Sequence, residues 1–232
     1  MEQLNNLKKE TGAVTFLDVL GWKGIWQQNP KAIETLYSLV QQVKRIAENV
    51  AGEYQNVKEL RGKSEITTVL SISDTIAMFT AAPAEVAIEI QAKICSKVLP
   101  EALLQELPLR GAVSYGDYTI KDRIMLGYAV DEAASWHEAT DWIGVVLSPS
   151  ASLKIRGKQP ETVIEYDKIP FKNPEKNLKY CIDWSFPKRD ELLTIIDKKG
   201  PLIPEIAPKY LNTLAFLDML EEKKETEEQN AR

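Results

Sequence analysis

Two aspartates stand in otherwise apolar, strand-like stretches of the chain. Asp18 lies within the β-branched and aromatic run 14–20, and Asp74 interrupts a similar run at 66–79. Burying a carboxylate is costly unless its charge is compensated, and two carboxylates on neighbouring strands would also repel each other. A bound cation is the simplest remedy, and Mg²⁺ typically takes one or two carboxylates together with substrate phosphates. The pair therefore predicts a site for a metal–nucleotide complex.

The same two positions also allow a purely structural interpretation. Aspartate is a favoured helix cap, so Asp18 could cap the helix that follows its strand. Asp74 could simply occupy a hairpin turn, where aspartate is common. The residues alone leave both interpretations open.

The elements that would position the aspartates follow a simple order. Hydrophobic periodicity and turn residues predict a strand, a helix, a two-stranded hairpin, a helix, a strand, a helix and a strand. Their expected ranges are 14–20, 30–49, 66–70 with 75–79, a helix after Pro83, 107–114 with a turn at 115–117, 127–140 and 142–147. The first six elements match the split βαβ of ferredoxin-like folds. We therefore expect an α+β fold with a mixed or antiparallel sheet and helices on one face.

The rest of the chain is less regular and extends this core. Short strands are expected at 162–166 and 180–184, and helices at 190–198 and 209–222, before a highly charged tail. No stretch of the sequence has the composition of an interdomain linker. We expect an N-terminal segment 1–12, a core domain 13–150, and a C-terminal α/β extension 151–232 that packs on the same domain.

Composition narrows the classes of function. The chain has 232 residues and a formal charge of −5 at pH 7, which argues against nucleic acid as a partner. No apolar run approaches the roughly 20 residues of a membrane-spanning helix, and residues 1–10 lack the apolar core of a signal peptide. Cys95 and Cys181 lack metal-ligand spacing, so we expect reduced thiols in a cytoplasmic protein with no membrane partner. His137 is the only histidine, which excludes a histidine-rich metal site and favours a packed histidine over a general base.

Four short segments carry a family resemblance. They are FLDVLGW at 16–22, Ser73-Asp74, RGAVSYG at 110–116 and GYAVDEAAS at 127–135. In this order they resemble four parts of the class III nucleotide cyclases: the first strand and loop, the hairpin with the second metal-binding aspartate, the Arg-x-Gly-x-x-x-Gly strand, and the Gly-x-x-Val-Asn-x-Ala-x-Arg helix. The resemblance covers roughly residues 13–150. It implies the cyclase fold and a nucleotide cyclase, a phosphorus–oxygen lyase.

Four positions depart from the family pattern. Asp131 and Ser135 stand where the family has its catalytic asparagine and arginine, and Leu70 and Ile124 stand where purine cyclases have a base-reading lysine and aspartate. An apolar Leu70/Ile124 pocket offers no charged hydrogen bonds to a purine edge, and buried polar readout is what produces strong base discrimination. Both metal aspartates are nevertheless kept.

This combination is similar to the bacterial pyrimidine (uridylate and cytidylate) cyclases of Pycsar antiphage defence. The resemblance implies conversion of UTP (or CTP) to a 3′,5′-cyclic nucleotide and pyrophosphate, as a second messenger in antiviral defence that a separate effector senses. The alternative is a catalytically inactive cyclase-homology module that binds nucleotide or mediates dimerisation. A polymerase-like palm with two carboxylates is disfavoured because the chain is acidic and lacks a basic template groove.

The resemblance also implies roles for particular residues. Asp18 and Asp74 would carry two divalent cations, Mn²⁺ or Mg²⁺, with the backbone carbonyl of Val19 as a further ligand. The residues expected to bind the nucleotide are Phe16, Leu20, Gly21, Trp22, Leu70, Ile124 and Asp131.

A catalytic cation must replace the arginine that is absent at Ser135. Arg123 and Lys121, both before the helix, are candidates to supply it, and we expect Arg123 to do so. Arg110, inside a strand motif, is expected to form a structural ion pair. Because class III sites combine groups from two subunits, the resemblance implies a head-to-tail homodimer with a nucleoside triphosphate as substrate.

Overall fold

The computed structural model describes residues 9–22, 30–122, 124–184, 189–199 and 207–230. Within these ranges the strands are β1 (Glu10–Val19), β2 (Thr67–Ile72), β3 (Thr75–Thr80), β4 (Leu109–Lys121), β5 (Ile124–Leu126), β6 (Gly144–Leu147), β7 (Val163–Glu165) and β8 (Tyr180–Ile182). The helices are α1 (Ala32–Glu53), α2 (Ala84–Leu104), α3 (Tyr128–His137), α4 (Pro149–Lys154), α5 (Arg189–Lys199) and α6 (Ala207–Asn230).

The strands form one mixed sheet in the order β2-β3-β1-β4-β6-β8-β7, and β5 pairs with β4 outside that path. β1 lies between β3 and β4 and is antiparallel to both. β4 and β6 run parallel, whereas β8 is antiparallel to β6 and to β7. These pairings confirm the predicted α+β fold with a split βαβ core, a mixed sheet and a C-terminal extension.

The predicted β2–β3 hairpin is confirmed. The prediction of a turn at 115–117 is wrong. β2 and β3 are joined by Ser73 and Asp74, and Ser73 has a φ of 55°. Residues 115–117 instead continue β4, which pairs with β1 from Glu10↔Tyr118 to Val19↔Leu109. This long ladder of backbone hydrogen bonds outweighs the local turn preference of Tyr-Gly-Asp. The chain reverses later, at Asp122, where φ is 56° and β5 folds back on β4.

The two faces of the sheet carry separate apolar clusters. On β1, Leu17 and Val19 belong to the larger cluster with α1 and α2, whereas Val14 and Phe16 belong to a smaller cluster with α3. The expectation of helices on one face is therefore wrong for α3. Its apolar residues meet the other side of β1, because successive strand side chains point to opposite faces. Asp18 shares the parity of Phe16 and lies on the α3 face.

The C-terminal extension shares the sheet and an aromatic cluster with the core. The ring of Phe216 in α6 lies 4.8 Å from that of Trp142 and 5.1 Å from that of Tyr166, between centroids. Cys95 and Cys181 are buried free thiols, and burial raises the pKa of Cys95 to about 12. Among the helices that the structure describes, none has the length and apolar content needed to cross a bilayer.

Candidate metal–nucleotide site

The end of β1 brings the two sequence-predicted aspartates together. Asp18 is the residue before the last of β1, and its cross-strand partners are Arg110 on β4 and Thr75 on β3. The Val19 N–H donates to the backbone carbonyl of Asp74 at 3.3 Å, so the hairpin turn is bonded directly to the end of β1. Asp18 is buried and Asp74 is half-buried. The two residues therefore lie together at the end of the central strand β1, close enough for the charge of Asp74 to act on Asp18.

Arg110 balances the charge of Asp18 inside the chain. Its Nε and Nη2 donate to the same carboxylate oxygen, Oδ2, at 3.0 and 2.8 Å. Its Nη1 donates to the backbone carbonyls of Glu138 and Thr140, each at 3.4 Å. The structural ion pair expected for Arg110 is confirmed. Because Arg110 already compensates the charge of the buried Asp18, a bound metal ion is not required for this purpose, contrary to the simplest inference from the sequence.

The local charges act on Asp18 in opposite directions. Burial is the largest influence and raises the pKa of Asp18, while the Arg110 guanidinium lowers it and the nearby Asp74 carboxylate raises it further. The net direction is upward. A second positive charge close to the site would therefore favour the ionised form of Asp18 that a cation site requires.

Two lysines that the sequence analysis did not identify lie in this region: Lys172 is near Arg110, and Lys209 is near Lys172. Burial lowers the pKa of Lys172, and the neighbouring charges of Arg110 and Lys209 lower it further. Lys209 Nζ lies 3.2 Å from Asp141 Oδ1. No sequence motif marks either lysine, because both come from the extension beyond residue 150.

The loop between β7 and β8 brings Lys172 to the site. The Lys172 N–H donates to the carbonyl of Ala139 at 3.0 Å, and the Asp141 N–H donates to the carbonyl of Pro170 at 2.9 Å. Thr140 and Phe171 form an isolated antiparallel bridge between these contacts. The segment after α3 is thus tied to the extension directly beside Arg110.

The predicted phosphate-loop residues are only partly described. Gly21 has a φ of 76° with open space around its α-carbon, so the backbone conformation, rather than crowding, requires glycine. The Leu20 N–H donates to the Pro108 carbonyl at 2.8 Å and is therefore not directed at a ligand. Phe16 is buried against α3, and Trp22 is partly buried against the larger core cluster. Residues 23–29 lie outside the described part of the chain.

The predicted base-reading pair does not form a pocket within one chain. Ile124 is 64% exposed, whereas its neighbour Met125 packs inward beside Leu70, because side chains alternate along β5. Leu70 and Met125 both line a groove of about 560 Å³ beneath α1, whose walls include Trp22 and Ile33. The apolar pocket that the sequence predicts from Leu70 and Ile124 is therefore lined by Leu70 and Met125.

Of the remaining predicted residues, Asp131 lies in α3. Asp131 is exposed in its first turn, and its carbonyl accepts a hydrogen bond from Ser135 Oγ at 2.7 Å. Arg123, the expected catalytic cation, lies outside the described residues. Packing requires glycine at position 111, because a Cβ there would collide with the Phe16 carbonyl oxygen of the adjacent strand.

Comparison with known proteins identifies the fold. No protein-family model matches the sequence, and no curated protein matches it either. Among solved structures, the catalytic core of a rhodopsin-guanylyl cyclase with converted specificity, in complex with ATPαS, matches 76% of this chain and 97% of its own, with 19% identity and a TM-score of 0.52. At this identity the similarity establishes the fold, which is that of class III nucleotide cyclase catalytic domains.

Two further solved structures show weaker similarity. An adenylate cyclase from Trypanosoma brucei in its monomeric state has 14% identity and a TM-score of 0.46, over 78% of this chain and 90% of its own. A class III adenylyl cyclase-like ATP-binding protein from Pseudomonas aeruginosa has 11% identity and a TM-score of 0.45, over 93% of this chain and 44% of its own.

Proposed function

We propose that this chain is a nucleotide cyclase that converts UTP (or CTP) to the 3′,5′-cyclic nucleotide and pyrophosphate. The observation that carries the proposal is the hydrogen bond from the Val19 N–H to the Asp74 backbone carbonyl, at 3.3 Å. This bond holds both aspartates together at the end of β1 in a cyclase fold. The proposed cellular role is that of a cytoplasmic second-messenger synthase in antiviral defence, with a separate cyclic-nucleotide-sensing effector.

The donor atoms at the end of β1 suit hard divalent cations. Asp18, Asp74 and the Val19 carbonyl supply only oxygen, the ligand that Mg²⁺ and Mn²⁺ accept readily. Both of the hydrogen bonds that Arg110 donates to Asp18 end on Oδ2, so Oδ1 remains available within the described part of the chain. Two bound cations would lower the pKa of the ribose 3′-hydroxyl and offset the charge of the departing pyrophosphate.

The chain's own cations would bind the phosphates. Arg110 is paired with Asp18, and the exposed Lys172 lies close enough to Arg110 for their charges to interact. Fixed positive charge near the site stabilises developing phosphate charge without reorganisation. Ser135 cannot serve this purpose because it carries no charge. Arg123 remains part of the proposal as a further cation.

The groove under α1 supports a pyrimidine rather than a purine. Among the described residues, its lining contains Lys44 and Gln41 but no carboxylate, and most of its wall is apolar. Without a carboxylate, the groove lacks one half of the charged pair that would read a purine edge and discriminate strongly in its favour. Leu70 and Met125 would instead contact a base through their apolar side chains.

Exposed apolar side chains support a homodimer. On the β5 and α3 side, Ile124 is 64% exposed and Tyr128 is 84% exposed, and Leu126 lies between them. Ile33 and Tyr37 on α1 are also exposed. A cluster of large exposed apolar residues is typical of a surface that another protein covers. We propose that a second copy covers it head to tail, which would bring Ile124 to the partner's site.

A second candidate function is supported by the Asp18–Arg110 pair. Because Arg110 neutralises Asp18 without a metal, the two aspartates could persist in a chain that has no catalytic activity. In this case the chain is a cyclase-homology module that binds nucleotide or mediates dimerisation.

A product assay separates the two functions. The purified protein is incubated separately with ATP, GTP, CTP and UTP in Mn²⁺, and the products are resolved by chromatography. We expect a cyclic pyrimidine nucleotide that disappears in Asp74→Ala and persists in Asp167→Ala, a matched change at an exposed aspartate after β7. A cyclic purine product would contradict the pyrimidine assignment alone. Absence of turnover with intact metal-dependent nucleotide binding would support the inactive module.

A further inference from the structure

The single histidine of the chain lies beside Asp18. His137 ends α3, is 8% exposed, and packs edge-on against Phe16 with 5.8 Å between ring centroids. Its ligand nitrogen and the carboxylate oxygens of Asp18 and Glu138 all lie within 4.8 Å of one another. No role in the proposed cyclase reaction has been assigned to His137 or Glu138.

The hydrogen bond on the far side of the ring determines which nitrogen is available. His137 Nδ1 lies 2.7 Å from the Ala134 carbonyl oxygen, which can only accept, so Nδ1 carries the proton in the neutral ring. The lone pair is then on Nε2, which lies 3.7 Å from Glu138 Oε1. This is the arrangement of metal-binding histidines, whose second N–H is commonly held by a backbone carbonyl.

The spacing and charge of the three groups suit one cation. Adjacent ligands of one ion with bonds of about 2.2 Å stand roughly 3–4 Å apart. His137 Nε2 and Glu138 Oε1 already lie 3.7 Å apart. The other separations, at most 4.8 Å, would have to shorten by up to about 1 Å. Asp18 and Glu138 carry two negative charges, and Arg110 offsets one of them through Oδ2 of Asp18. A divalent ion on the Oδ1 side of Asp18 would therefore not be opposed by the net local charge.

The nitrogen ligand selects among divalent ions. Imidazole binds transition metals, whereas Mg²⁺ prefers oxygen ligands and water. We propose that Asp18, His137 and Glu138 form a binding site for a divalent transition-metal ion, with His137 Nε2 as a direct ligand. The inference rests on the proposed function only in sharing Asp18, and the binding itself requires neither nucleotide nor turnover.

Electron spin-echo spectroscopy of Mn²⁺ bound to the tag-free protein tests the site directly. Because the chain contains one histidine, any imidazole ¹⁴N coupling to Mn²⁺ must come from His137. We expect this coupling in the wild-type protein and its replacement by a ¹⁵N signal after labelling with ¹⁵N-histidine. The labelled protein keeps the native sequence, so the result does not depend on whether a variant folds.

Variants then measure the contribution to affinity. His137→Phe keeps a ring against Phe16 and is expected to weaken Mn²⁺ binding by about tenfold or more, with a much smaller effect on Mg²⁺. Glu138→Gln is expected to weaken Mn²⁺ binding as well, whereas Glu161→Gln, at an exposed glutamate before β7, is expected to leave it unchanged.

The outcomes separate this inference from the proposed cyclase. Mn²⁺ bound without ¹⁴N coupling, or no Mn²⁺ binding at millimolar concentration, would overturn the histidine site even if UTP or CTP is cyclised. Conversely, ¹⁴N coupling in a protein that turns over no nucleotide would support the site and contradict the cyclase.

Discussion

Arg110 and Asp18 are direct cross-strand partners on β4 and β1, and the arginine donates two hydrogen bonds to a single oxygen of the carboxylate. Both side chains are about nine-tenths buried, with exposures of 9% and 11%. The carboxylate that the sequence predicts as a metal ligand is therefore already balanced by a cation within the chain. A metal ion that binds at the end of β1 would add to an ion pair and use the second oxygen of Asp18.

Replacement of Arg110 by methionine is expected to destabilise the fold. Removing one partner leaves Asp18 buried without compensation, which typically costs about 3–5 kcal/mol. Urea denaturation measures the loss, and the double variant Asp18→Asn/Arg110→Met is expected to recover a large part of it. A change below about 1 kcal/mol in Arg110→Met would show that the pair is solvated or compensated by another group.

Asp74→Asn is expected to abolish cyclase activity while leaving the fold intact. The turn uses the Asp74 backbone carbonyl, and asparagine keeps the same turn preference, so stability should change by less than about 0.5 kcal/mol. Loss of one group that stabilises developing charge lowers turnover by about a hundredfold or more. Product formation checks the loss of activity, and urea denaturation of the same preparation checks that the stability is unchanged. Full activity in Asp74→Asn would contradict the proposed metal site.

Lys172→Gln is expected to reduce kcat/KM for the nucleoside triphosphate. A hydrogen bond to a charged group contributes about 1.5–3 kcal/mol, which corresponds to about a ten- to hundredfold loss. Lys179→Gln serves as the control because Lys179 is exposed and paired with Glu165 at 2.7 Å, away from Arg110. Equal kinetics in the two variants would exclude Lys172 from phosphate binding.

The exposed apolar surface predicts a dimer that one charge can break. Ile124→Glu is expected to shift the protein from dimer to monomer and to lower its activity, because a charge cannot be buried unpaired at an interface. Leu153→Glu, at a similarly exposed leucine in α4, should leave the mass unchanged. Sedimentation velocity measures the mass. A wild-type monomer at micromolar concentration would contradict the head-to-tail assembly.

Stability is expected to decline at alkaline pH, in part through Cys95. Burial raises the pKa of this thiol from 9.0 to about 12, so the folded chain holds the proton more tightly than the unfolded chain. The stabilisation is fully present below pH 9.0 and is lost as the pH rises toward about 12. Urea unfolding at several pH values from 8 upward should give a steeper decline for the wild type than for Cys95→Ala. Parallel declines would show that the thiol ionises as readily in the folded chain.

Local patterns in the sequence determined much of the fold. Runs of β-branched and aromatic residues predicted β1 and, with the turn residues between them, the β2–β3 hairpin, because strand preference and turn chemistry act over a few residues. The same patterns placed Asp18 within the first strand and Asp74 in the hairpin turn, and the structure shows that β1 ends one residue after Asp18. The turn expected at 115–117 did not form, because strand pairing with β1 is a long-range interaction that local preference does not report.

The tertiary structure alone decided the chemistry around Asp18. Arg110 lies 92 positions along the chain, Lys172 arrives on the loop between β7 and β8, and His137 reaches the site because α3 crosses the second face of the sheet. None of these contacts follows from periodicity or spacing, because each depends on how strands pair and which face a helix covers. The sequence by itself identified the two carboxylates, and the packing of distant segments determined which charges and ligands surround them.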